Sequence, residues 1–127
     1  MPEKTTAQKL LIKDNYKVSI LNAPAGYEST LGDLPSNVSC VSNPNEPVDL
    51  IQFFVTSREE LEGQLKKLKQ ILKPQGLLWV TYPKGTSKIK ADINRDSIRE
   101  YGLTVGLQAV AMISVDDTWS ALRLKVV

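Results

Sequence analysis

The chain has 127 residues, 42% of them hydrophobic and 24% charged, a balance that suits a globular fold with a substantial core. Its formal charge of +2 is too small to attract a polyanion by itself. It contains no histidine, which excludes a Ser-His-Asp triad and a Cys/His zinc site, and no metal is expected.

The opening MPEKTTAQKLLIKDN has neither the apolar run nor the small-residue cleavage pattern of a secretory signal. No stretch reaches the roughly 18 apolar residues that a membrane span requires. The single cysteine, Cys40, cannot form an internal disulfide, which fits a reducing compartment. The expectation is one cytoplasmic domain over residues 1–127 with no membrane contact.

In chain order, residues 4–13 read as a short helix with Ala7, Leu10 and Leu11 on one side. KVSIL (17–21) is a first strand, followed by the loop NAPAGYESTLGDLP with one helical turn near Tyr27–Leu31. VSCV (38–41) is a short second strand in which Cys40 is expected to be a small buried side chain. VDLIQFFV (48–55) is almost wholly apolar, the pattern of a parallel strand covered on both faces. Asp49 at its start is assigned a structural hydrogen bond to nearby backbone.

The next segment carries the strongest helix signal. Ser57 and Glu60 form a capping-box pair, and Leu61, Leu65, Leu68 and Leu72 keep one face apolar. Pro74 and Gly76 are expected to end that helix before the buried strand GLLWVTY (76–82), with Trp79 in the core. Asn94 caps a helix from Arg95 to Tyr101, and Gly102 stops it. LQAVAMISV (107–115) and WSALRLKVV (119–127) are separated only by Asp116, Asp117 and Thr118, so they form an antiparallel hairpin. These elements predict an α/β fold: a three-layer, Rossmann-like, doubly wound sheet, mostly parallel, ending in an antiparallel β-hairpin.

The run VDLIQFF…LKKLKQILKPQGLLWVTY, with the terminal hairpin, resembles the second half of class I S-adenosylmethionine-dependent methyltransferases. NAPAGYESTLGDLP, LLWVTYPKGTSKIKADINRDSIR and VDDTWSALRL resemble a domain-of-unknown-function family of short proteins regarded as methyltransferase-like in fold. The resemblance implies that the last strand inserts antiparallel between its two predecessors, in a version of the fold truncated by a strand and its helix. It also implies a glycine-rich turn after the first strand and an acid at the tip of the second. Here the turn reads Asn22, Ala23, Pro24, Ala25, Gly26, with one glycine and a proline that lacks an amide donor. After VSCV come Ser42 and Asn43, neither of them an acid.

In doubly wound folds the working edge is the carboxyl end of the parallel strands. Cofactor candidates on that rim are Asn22, Pro24, Gly26, Thr56 and Ser57. Candidates for a ligand or anion are Tyr82, Lys84, Asp116, Asp117 and Trp119. They would form an ion pair between Lys84 and one of the aspartates, or a small polar site beside Tyr82 and Trp119; the plainer reading is a surface loop with a hairpin turn. Trp119, just past a turn, is expected to be an edge packing residue, with half-exposure as the alternative. The stretch 84–99 holds five basic residues (Lys84, Lys88, Lys90, Arg95, Arg99) against two acidic ones, and reads as a solvated loop. PKGTSK lacks the spacing of a phosphate-binding loop.

The first expectation is therefore a non-catalytic domain with a degenerate cofactor site, no catalytic residue and no bound cofactor. Such a domain would bind a protein or small molecule at the rim; S-adenosylmethionine and nucleic acid are not favoured. The alternative is a divergent S-adenosylmethionine-dependent methyltransferase, and a third reading is weak anion or nucleic-acid binding through residues 84–99.

Overall fold

A computed structural model describes residues 6–23, 27, 34–41, 47–84, 91–115 and 118–126. Its strands are β1 (Lys17–Leu21), β2 (Ser39–Val41), β3 (Val48–Phe54), β4 (Leu72–Pro83), β5 (Leu107–Ser114) and β6 (Trp119–Val126). Its helices are α1 (Thr6–Lys9), α2 (Arg58–Ile71) and α3 (Arg95–Thr104). The strands make one sheet in the order β2-β1-β3-β4-β6-β5. The first four pair in parallel, and β6 runs antiparallel between β4 and β5. The predicted α/β architecture and the insertion of the last strand are both present.

Apolar side chains cover both faces of this sheet. One face carries Ile51, Phe53, Leu78, Val80, Leu122 and Leu124 beneath α2 and α3. The other carries Leu50, Phe54, Trp79 and Trp119 against Ala7, Leu10, Ile12 and Tyr27. Trp79 is buried as expected, and its indole Nε1–H donates to the Leu10 carbonyl at 2.9 Å. Only Asp49 in β3 escapes full burial. It accepts the Lys17 amide at 2.8 Å and pairs with Lys73 Nζ at 3.0 Å, the structural role assigned to it.

Several boundaries differ from those expected. The first helix has four residues rather than ten. Leu11 takes a left-handed conformation (φ 66°), while its amide bonds Gln8 O and the Ile12 amide bonds Ala7 O, each at 3.1 Å. That pair of bonds is a Schellman cap, and it turns Leu11 out to solvent, away from Ala7 and Leu10. Of the turn near Tyr27–Leu31, residues 28–31 lie outside the described residues. Cys40 is exposed rather than buried, because β2 is an edge strand of only three residues.

Pro74 and Gly76 do not end α2, which stops at Ile71, and β4 starts at once. Leu72 therefore pairs with Val48 in the sheet instead of completing the helix face. The register then jumps to Leu50↔Leu77, and Pro74 lies within this irregular stretch, where a missing amide is tolerated. A side chain on Gly76 has no space: its Cβ would lie 2.6 Å from Leu72 Cδ1 and 3.0 Å from the Asp49 carbonyl. Asn94 caps α3 in a full box with Ser97. Gly102, however, is inside α3, where it packs closely on the backbone of β5, and Gly106 (φ 81°) makes the turn.

Two outcomes follow. Gly76→Ala should lower stability by about 1–3 kcal/mol in urea unfolding, the usual cost of overpacking, because Leu72 is buried and the Asp49 carbonyl is backbone. At Asp49 burial opposes ionisation, but the Lys17 amide and the Lys73 ammonium outweigh it and hold the carboxyl below its ordinary range. A carboxylate depressed on folding stabilises above its unfolded pKa and loses that contribution as pH falls. Asp49→Asn should therefore flatten the stability profile below about pH 4, as read by denaturation midpoints across pH.

Candidate functional site

The carboxyl ends of β1, β3 and β4 share one edge with the first turns of α2 and α3. At the end of β1, Asn22 has φ 59°, a left-handed conformation that asparagine tolerates and most residues avoid. Asn22 and Ala23 are both exposed, so the backbone there is open to approach. Thr56 and Ser57 follow β3. Ser57 Oγ accepts the Glu60 amide at 3.1 Å, and the Ser57 and Thr56 hydroxyls donate to Glu60 Oε1 at 3.2 and 3.5 Å. This is the expected cap, with the glutamate turned to hydroxyls rather than to backbone.

Asp92 ties the segment after β4 to α2. Its amide donates to Thr56 O at 3.2 Å, and its carboxylate accepts the first helical amide, Arg58 N, at 2.6 Å. A carboxylate at a helix start is electrostatically favoured. In the sequence Asp92 only interrupted a basic stretch; in the fold it fastens two ends of the rim together.

A buried polar ladder runs beneath the same edge. Tyr27 Oη donates to Gln52 Oε1 at 2.7 Å, and Gln52 Nε2 donates to Thr81 Oγ1 at 3.1 Å. Gln52 and Thr81 are fully buried. Their bonds link the loop after β1 to both central strands. Tyr27 also packs edge-on against Phe54 (4.6 Å between centroids), which meets Trp119 in the same way at 5.0 Å. Gln52 was not singled out in the sequence, although a lone amide inside VDLIQFF was a usable signal.

The ligand candidates separate onto two faces. Trp119 is 8% exposed and packs on the α1 side, a packing residue as expected and not the half-exposed alternative. Tyr82 lies on the opposite face, across from Ser120 in the β4–β6 register. A joint Tyr82–Trp119 site is therefore not built. Lys84 does sit beside the β5–β6 connection: its amide donates to Thr118 O at 2.8 Å and its Nζ to Ser114 Oγ at 2.6 Å. Pro24, Gly26, Ser42, Asn43, Lys88, Lys90, Asp116 and Asp117 lie outside the described residues.

Tyr82, Lys84, Asn94, Arg95, Asp96, Met112 and Ser120 line an open cleft of about 350 Å³. Burial pushes the Tyr82 phenol up, opposed by Arg95 and reinforced by Asp96, so it remains a protonated donor at neutral pH. Of this set the sequence had marked Tyr82 and Lys84 as ligand candidates, Arg95 and Asp96 as parts of a basic stretch, and Asn94 as a helix cap. Ser120 and Met112 reach the cleft through strand register, which short-range pattern does not encode.

Several solved structures share this architecture. A DhpI–SAH complex is 13% identical, with a TM-score of 0.65 over 94% of this chain and 82% of that one. A TehB-like SAM-dependent methyltransferase from Corynebacterium glutamicum is 14% identical, with a TM-score of 0.63 over 99% and 89%. The 1,6-didemethyltoxoflavin-N1-methyltransferase of Burkholderia thailandensis, with bound 1,6-didemethyltoxoflavin and S-adenosylhomocysteine, is 10% identical, with a TM-score of 0.65 over 96% and 77%. No family model and no curated protein matches the chain. At these identities the likeness defines the class of fold: the Rossmann-like sheet of S-adenosylmethionine-dependent methyltransferases.

The expectation of no cofactor is corrected here, since neighbours of this fold are S-adenosylhomocysteine complexes. That expectation rested on the single glycine and the proline after β1 and on the missing acid after β2. Close approach to backbone depends on conformation, and Asn22 supplies the left-handed turn without a glycine.

The ladder yields a further outcome. Tyr27→Phe should lower stability by about 1–3 kcal/mol, the cost of leaving the buried Gln52 oxygen without its donor. Gln52→Leu with Tyr27→Phe should recover part of that loss in the same unfolding assay.

Proposed function

We propose that the chain binds S-adenosylmethionine across the carboxyl ends of β1 and β3 and acts as a divergent methyltransferase on a small acceptor held beside β4. The observation that carries this reading is the left-handed Asn22 at the end of β1, exposed on the edge where doubly wound sheets place their ligands. The sheet order, with β6 inserted between β4 and β5, supports it through the likeness to cofactor-bound neighbours.

The described residues fit such a ligand in part. Asn22 and Ala23 are small and leave the backbone accessible, while Phe53 and Phe54 stiffen the neighbouring strand end. The described residues of β2, Ser39–Val41, include no carboxylate for a ribose. The cofactor would supply an electrophilic methyl group. The chain's own residues would bind and align the two reactants, a contribution that needs no histidine.

Isothermal titration with S-adenosylhomocysteine is the test, and a 1:1 isotherm with a Kd of about 10–100 μM, near −7 to −5.5 kcal/mol, is expected. Asn22→Gly should keep that affinity. Asn22→Val should weaken it, since a β-branched residue resists positive φ. Heat indistinguishable from dilution at millimolar ligand would reject the cofactor and leave a binding role at the rim.

A further inference from the structure

The cleft at the end of β4 is a second site, separate from the β1–β3 edge. Register and packing set its floor. Tyr82 and Ser120 are directly opposed in β4 and β6, and Ser120 is in turn opposed to Ser114 in β5. Side chains of opposed residues project from the same face, so three hydroxyls lie in a row across three strands. Lys84, two residues beyond Tyr82, lies on that face and donates to Ser114 Oγ, which fixes the position of its ammonium. The start of α3 closes the opposite wall.

Three observations mark this cleft as a place for a ligand rather than a gap between elements. Ser120 is only 9% exposed, lines the cleft, and its side chain makes no hydrogen bond among the described residues, so its hydroxyl is open to a ligand acceptor. Among the described residues Tyr82 Oη has only the Met112 sulfur, at 3.3 Å, a weak acceptor. At α3 the capping box uses the Asn94 and Ser97 amides. The amides of Arg95 and Asp96, at the first two helical positions, have no acceptor within the helix.

Charge decides the kind of ligand. Among the described residues the lining holds two cations, Lys84 and Arg95, and one anion, Asp96. Asp96 lies 3.8 Å from Arg95 Nε and 4.0 Å from Arg99, so cations surround it, and the described lining carries one surplus positive charge. That balance suits a single negative charge better than the double charge of a phosphate monoester. The volume is at the small end of ligand pockets, and the Tyr82 ring and Met112 give it an apolar side. We infer that this cleft binds the carboxylate of a small organic acid, with Lys84, Ser120 and Tyr82 as donors to its oxygens. That such an acid is the methyl acceptor rests on the function proposed above; the binding itself does not.

The test is a titration of the ¹⁵N-labelled full chain with benzoate, and separately with inorganic phosphate and chloride, at constant ionic strength. Benzoate should shift the amides of Arg95, Asp96 and Ser120 saturably in the millimolar range. Lys84→Ala should weaken it about tenfold, as expected for loss of one charge-assisted hydrogen bond, while Lys84→Arg keeps most of the affinity. Ser120→Ala should weaken it less, and Arg99→Ala not at all. Because Lys84 has a partly exposed side chain, the alanine variant should keep its melting temperature. Should it unfold instead, Arg95→Ala provides the same affinity comparison on an exposed residue. Non-saturating shifts, equal response to chloride, or unchanged affinity in both the Lys84 and Arg95 variants would overturn the proposal. Phosphate binding more tightly than benzoate would overturn the carboxylate assignment. S-adenosylhomocysteine, added in a separate titration, reports on Asn22 and Ala23, so either reading can fail without the other.

Discussion

The parallel pairing of β3 with β4 is the constraint on which the other features depend. Every β3 side chain except Asp49 is buried, and β4 buries Leu78 through Pro83 without interruption. Strands covered on both faces cannot shift by one residue without exchanging the sides to which all their side chains point. The register is therefore strongly determined, and it sets where each strand ends. Asn22, Thr56 and Lys84 share an edge because three parallel strands in fixed register finish together.

Buried polar groups refine that register. Gln52 in the centre of β3 is tolerable only because Tyr27 and Thr81 satisfy its amide. A one-residue slip would leave it unpaired in an apolar layer, a penalty comparable to a substantial part of a domain's net stability. The ladder thus favours one alignment of β3 on β4, and it fastens the loop after β1 to that alignment. Asp92 does the corresponding work on the other side, joining the segment after β4 to the start of α2. Both devices hold rim segments that have little apolar surface of their own.

The rim has two regions with different chemistry. Beside β1 and β3 it offers exposed backbone in a left-handed turn, with the Glu60 and Asp92 carboxylates already held by hydroxyls and a helix amide. Beside β4 it offers hydroxyls, two cations and the free end of a helix. An elongated ligand at the first and a compact acid at the second would lie along one edge, with β3 and β4 between them as a rigid floor. The antiparallel insertion of β6 makes this arrangement possible, because it brings Ser120 next to Tyr82 and the β5–β6 connection next to Lys84.

The sequence alone determined what depends on period and on local chemistry. The two apolar runs, the Ser57 and Asn94 caps, the leucine face of α2 and the three-residue gap before Trp119 were sufficient for an α/β sheet ending in an antiparallel hairpin, while the insertion of its last strand came from the resemblance to methyltransferases. Short-range signals failed where a residue had two plausible local uses. Pro74 and Gly76 read as a helix stop but lie within a strand, Gly102 read as a cap but serves close packing, and Leu11 left its helix face through a cap without glycine. The candidate site was legible only as a rim. Which face of the sheet each residue occupies follows from long-range register, and register separated Trp119 from Tyr82 and brought Ser120, Ser114 and Lys84 together. No local propensity encodes a contact between residues thirty or more positions apart; it exists only once the buried strands have paired.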